Sequence, residues 1–174
     1  SSFGDSPVNY INAPALATPT PPDFTAFLDD MRAANKAGAS APWLAYAPLK
    51  RLLAREGEMA PSVLADLAER LEAAGLPRPI WSLADEPGNA DQSADGLRAT
   101  ARKLRAAVPD VRLAGHLNAR HDVALAPLFD VILINQGFGI DEKSIAAAAH
   151  AGPEVWLYNT GRPRLTAGLW LWAT

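Results

Sequence analysis

Five brief apolar runs constrain this chain more than any other feature: Trp43 to Ala47, Ile80 to Asp85, Val111 to Leu117, Val131 to Asn135 and Val155 to Tyr158. They are nearly continuous rather than alternating in polarity, as strands buried on both faces must be. Each interval between them is long enough for a crossover helix, which a parallel connection requires. The fold class that follows is α/β, with parallel strands joined by crossover helices. Val8 to Ile11 adds a short strand candidate near the start.

The intervals carry helical periodicity. Between Asp23 and Ala37, Phe24, Phe27, Leu28, Met31 and Ala34 share one face. A second helix is predicted from Pro61 to Ala74, with Val63, Leu64, Leu67 and Leu71 inward and Gly75 as its C-terminal stop. A third spans Ser93 to Val108, ahead of Pro109, and shorter ones are predicted over His121–Leu128 and Glu142–Ala149. The stretch from Ala167 to Trp172 follows Val155 too closely for a crossover, so it is read as a helix opened by Pro163. Residues 1–22, with Pro7, Pro14, Pro19, Pro21 and Pro22, form an irregular Pro-rich opening segment, and residues 23–174 a single α/β domain.

Composition removes several classes of function. The chain has 174 residues, 49% of them apolar, enough for one real core. No run approaches the ~18 apolar residues of a spanning helix. A net charge of -3 offers no basic footprint for nucleic acid. The absence of cysteine excludes disulfides, thiolate metal sites and cysteine nucleophiles. His116, His121 and His150 do not stand at metal-ligand spacing with a carboxylate, so no metal site and no cofactor are expected. Gly137-Phe138-Gly139 lacks the spacing of a phosphate cradle, and no nucleophile elbow occurs. Both ends read as cuts through a longer protein, since the start lacks Met and the last residues carry no polar tail.

In parallel α/β folds, chemistry sits where strands end and loops begin. The strand ends here are Pro48, Asp85-Glu86-Pro87-Gly88-Asn89, Asn118, Asn135-Gln136 and Tyr158-Asn159. Polar strand ends also arise simply from approaching solvent. Asp85-Glu86-Pro87 is the sharpest of them. Trp81, Leu83 and Asp85 alternate with Ile80, Ser82, Ala84 and Glu86, and in a closed barrel the smaller set suits the crowded interior. Glu86 would then point into the mouth, where a shielded carboxyl suits a general acid. Asp85 is either a second carboxylate in the site or a hydrogen-bond partner of the following loop. His116 and Asn118 stand ready to bind substrate or to orient Glu86, and Asn135, Gln136, Tyr158 and Asn159 to bind a hydroxylated ligand. Asp141-Glu142 reads as a helix cap.

On Trp81-Ser82-Leu83-Ala84-Asp85-Glu86-Pro87 and Val155-Trp156-Leu157-Tyr158-Asn159, the chain resembles glycoside hydrolases of the TIM-barrel type, above all the family 123-like catalytic domains and their uncharacterised relatives. Arg164 to Trp172 is similar to the helix that follows in those relatives, and the likeness extends over roughly Ala41 to Thr174. It implies a partial (β/α)8 barrel; the alternative is an open doubly wound sheet. It also implies substrate-assisted cleavage of N-acetyl-hexosaminides, with Glu86 as acid and base and Asp85 orienting the substrate acetamido group. A secreted or periplasmic location would accompany such an activity.

The chain departs from that pattern in having too few strands for a barrel of ~250 residues. No second carboxylate stands at a later strand end, apart from the cap-like pair at 141–142. Open sheet edges would call for more chain or self-association. A different class of function therefore stands beside the first: a non-catalytic carbohydrate-binding or scaffold domain on a barrel-like fold. In both readings the partner is a glycan or another small hydroxylated ligand.

Overall fold

The computed structural model describes residues 9–11, 24–39, 42–46, 48–87 and 93–160. Strand β1 (Asn9–Ile11) precedes helix α1 (Thr25–Lys36), and β2 (Trp43–Ala45) precedes α2 (Pro48–Glu56) and α3 (Ala60–Ala73). Then β3 (Ile80–Asp85), α4 (Ala94–Ala107), β4 (Arg112–Leu117), β5 (Val131–Ile134), α5 (Glu142–His150) and β6 (Glu154–Leu157) follow. Short 3₁₀ segments, Gly57–Met59 and Arg120–Leu128, complete the path.

The strands form one sheet in chain order, β1-β2-β3-β4-β5-β6. The β1–β2, β2–β3, β4–β5 and β5–β6 pairs are parallel. This is an α/β fold with crossover helices, consistent with part of a (β/α)8 barrel or with an open parallel sheet. A doubly wound sheet reverses its strand order at a switch point, and the described strands show no reversal.

The chain divides into two compact units, with the cuts inside β3 and β4: residues 1–83 with 95–113, and residues 84–94 with 114–174. In the first, Phe27 and Met31 of α1, Leu49 and Leu52 of α2, Leu64, Leu67 and Leu71 of α3, and Leu97 and Leu104 of α4 are buried with Trp43, Leu44, Ile80 and Trp81. Full burial of each such side chain stabilises by about 1.5–3 kcal/mol before entropy is charged. The Phe27 and Trp81 rings stack at 5.8 Å.

Helix α3 stops as its sequence predicts. Gly75 adopts φ 64, its N–H bonds the Glu72 carbonyl, and the Leu76 N–H bonds that of Leu71. Those paired bonds satisfy carbonyls that the helix end would otherwise leave open. Helix α2 was not anticipated. Its signals are Pro48 at the first position and Leu49 and Leu52 three apart, and they add a second helix to an interval expected to hold one. Pro48 therefore starts a helix rather than ending a strand.

In the second unit, β5 is buried along its whole length, as its unbroken apolar run requires. Its register with β4 and β6 places Leu117, Ile134 and Leu157 on one line across the sheet. The helix expected over His121–Leu128 takes the 3₁₀ form, with Pro127 inside it. Proline supplies no N–H for an α-helical bond and its ring obstructs the preceding turn. The Ala167–Trp172 segment and the Arg164–Trp172 likeness lie outside the described residues, as do residues 1–8 and 12–23 of the opening segment.

Gly115 of β4 makes room for a ring: a Cβ there would come within 2.5 Å of Phe129. Because Phe129 is buried, Gly115→Ala is expected to destabilise the protein by about 1–3 kcal/mol through overpacking. Phe129→Leu should recover part of that loss. Urea unfolding of the two single variants and the double variant checks the coupling, and strict additivity would show that the ring is not what the glycine accommodates.

Candidate functional site

Strand β3 ends in a backbone turn that aims one carboxylate. Glu86 has φ 50, in the left-handed region, at a cost of about 1–2 kcal/mol for a side-chain-bearing residue. Pro87, buried, follows it and disfavours the right-handed helical conformation at Glu86, though by itself it favours an extended backbone. The Glu86 N–H also donates to the His116 carbonyl at 2.8 Å. The strict alternation expected from Ile80 to Glu86 consequently ends at Asp85, and the turn, not the pleat, sets the direction of the Glu86 side chain.

Residues just beyond the ends of β4, β5 and β6 meet this carboxylate. Because Leu117, Ile134 and Leu157 stand on one line of the sheet, Asn118, Asn135 and Tyr158 follow at equivalent positions. The Tyr158 hydroxyl donates to Glu86 Oε1 at 3.1 Å, and Asn135 Nδ2 donates to the same oxygen at 3.2 Å. Asn135 Nδ2 also stands 3.0 Å from the Tyr158 hydroxyl oxygen. Asn118 Nδ2 makes a longer contact, 3.4 Å, with Oε2. The orientation of Asn135 is settled by its other end, where Oδ1 accepts the Gly137 and Phe138 N–H groups at 2.9 and 3.2 Å.

His116 lies beneath this cluster, 1% exposed, with its ring 5.2 Å from that of Tyr158 and edge-on to it. Burial pushes its imidazole down to about 4, against an opposing pull from Asp85 and Glu86. It is therefore neutral at neutral pH, and such depth suits orienting its neighbours rather than touching a substrate. Burial, followed by the charge of Glu86 and the hydrogen bond to it, raises the Tyr158 phenol well above its ordinary value, so it remains a donor. Asp85 is half-buried and acts electrostatically on both His116 and Tyr158.

Of the residues singled out in the sequence, Glu86, Asn118, Asn135 and Tyr158 are joined by hydrogen bonds, and His116 and Asp85 adjoin them. Gln136 and Asn159 are exposed, and Asn159 turns out of β6 with φ 47. Gly88 and Asn89 lie outside the described residues. Asp141 caps α5 as expected, accepting the Ser144 N–H at 3.0 Å and the Ser144 hydroxyl at 2.8 Å. Asp122 accepts the Ala119 N–H at 3.1 Å. The sequence points to Gly137 only as part of a phosphate cradle that it does not form, although Asn135-Gln136-Gly137 is a turn signal in its own right.

A mostly apolar cavity of about 190 Å³ occurs in the first unit, lined by Leu64, Leu71, Pro79, Trp81, Val108 and Val111 among others. Pro79 and Val111 precede strands, and strand starts in parallel folds serve stability rather than chemistry. Among the described residues no group of three or more His, Asp or Glu side chains is placed to hold a metal ion. None of the described helices is long and apolar enough to cross a membrane. No family model, curated protein or solved structure matches the chain.

The depressed His116 has a consequence for stability. Between pH ~6.5 and about 4, the unfolded chain takes up a proton that the folded protein refuses. This contribution is complete above pH ~6.5 and declines with falling pH, by about 3 kcal/mol in all. His116→Gln should flatten this part of the profile. Urea denaturation at several pH values between 7 and 4 measures it, and identical slopes for both proteins would overturn the assignment.

Proposed function

We propose that the protein is a glycoside hydrolase acting on N-acetyl-hexosaminides or related glycans, with Glu86 as general acid and base. The observation that carries this reading is the Glu86 carboxylate at the end of β3, met by an amide or hydroxyl donor from just beyond each of three further strands. A general acid has to present its proton in a fixed direction, and a carboxyl held from its neighbours meets that requirement.

In this mechanism Glu86 gives its proton to the glycosidic oxygen as the bond to C1 breaks. The carbonyl oxygen of the substrate acetamido group attacks C1, and Asp85 orients the acetamido N–H. Glu86 then takes a proton from water as the water opens the cyclic intermediate, which restores the acid. A retaining enzyme that supplies its own nucleophile needs a second carboxylate ~5–5.5 Å from the first. Asp122 and Asp141, two further carboxylates of the second unit, are engaged in hydrogen bonds at helix starts. A nucleophile supplied by the substrate removes the need for such a carboxylate.

Glu86→Gln is expected to lower turnover of aryl N-acetyl-hexosaminides about 10²–10⁴-fold, and Asp85→Asn to lower it substantially as well. Equal rates for Glu86→Gln and the unaltered protein would refute the assigned role. Calorimetry against a panel of glycans separates the other class of function. Sugar binding that survives Glu86→Gln, with no turnover by either protein, would make this a binding module.

A further inference from the structure

We propose that Tyr158 and Asn135 are positioning residues that hold the Glu86 carboxyl by Oε1 and so fix the direction in which it meets a substrate. The sequence cast both as ligand-binding groups. The hydrogen bonds assign them to the carboxylate.

Three atoms close a triangle: Glu86 Oε1, the Tyr158 hydroxyl oxygen and Asn135 Nδ2, at 3.1, 3.2 and 3.0 Å from one another. Its directionality follows from Asn135. With Oδ1 engaged by two backbone N–H groups, rotating the amide would set donors against donors in a half-buried setting. The Asn135 NH₂ therefore faces the triangle. It directs one N–H at the Tyr158 oxygen, and the Tyr158 proton is left to point at Oε1. Both donors therefore bear on Oε1, while the Asn118 amide lies 3.4 Å from Oε2.

Gly137 is the backbone element behind this arrangement. A Cβ on it would come 2.5 Å from the Asn118 carbonyl oxygen and 3.2 Å from Asn135 Oδ1. The first of these atoms belongs to the main chain and cannot swing aside. An alanine would therefore shift the turn that orients Asn135.

The role toward a substrate rests on the glycosidase reading, whereas the clamp itself does not, and the test is built to separate them. In the first arm, side-chain amide resonances of Asn135 are followed by NMR in the full chain. Glu86→Gln and Tyr158→Phe should each shift those resonances and speed the exchange of their protons, while leaving the backbone spectrum of β5 in place. Unchanged Asn135 side-chain signals in both variants would overturn the proposal, whatever the turnover.

In the second arm, Tyr158→Phe should lower kcat about ten- to a hundredfold with KM within about twofold, as misplacement of a catalytic group does. Gly137→Ala should do the same. A rise in KM at unchanged kcat would return Tyr158 to substrate binding and overturn the positioning role. If the amide signals respond but no glycoside is turned over by any protein, the clamp stands and the hydrolase reading falls.

Discussion

The parallel register of β4, β5 and β6 is the constraint on which the second unit depends. Backbone hydrogen bonding aligns Leu117, Ile134 and Leu157, and a slip of one residue would break that alignment by inverting every side chain of the strand. Three polar residues from distant parts of the sequence thus emerge in step. No loop has to bring Asn118, Asn135 and Tyr158 together, because the sheet has already done so. The same pairing continues one residue further, where the Tyr158 N–H bonds the Ile134 carbonyl at 3.0 Å.

Polar groups at this edge are ordered by what lies beneath them. His116 remains neutral because burial outweighs the pull of the two acids. A charged imidazole under Tyr158 would attract the Glu86 carboxylate and compete with the hydroxyl. A neutral one packs edge-on against the Tyr158 ring without that competition. Asn135 converts backbone direction into side-chain direction, since its carbonyl end reads the Gly137–Phe138 turn and its amide end meets Glu86. An aspartate at that position would accept the same two N–H groups but would face Glu86 with a like charge.

Much of this fold was legible in the chain. The run from Ile80 to Asp85 became β3 residue for residue, and the other apolar runs became strands with ends shifted by a residue or two. Helix α3 and its Gly75 stop were equally plain, because periodicity and a left-handed glycine are both local signals. Helix α2 was hidden by the assumption of one helix per crossover, not by weak signals. The site was legible as a set of residues and not as an arrangement. Strand alternation predicted where Glu86 would point, but a positive φ in a glutamate has no compositional mark. Nor could spacing reveal that Tyr158 and Asn135 would turn toward the acid instead of outward, because that depends on a three-body contact across strands.

The backbone of Glu86 carries one more implication. At φ 50, the residue best suited to the conformation is glycine, which adopts it without steric cost. Glycine would relax the turn but erase the carboxylate. A glutamate at this position therefore costs folding stability that a glycine would not.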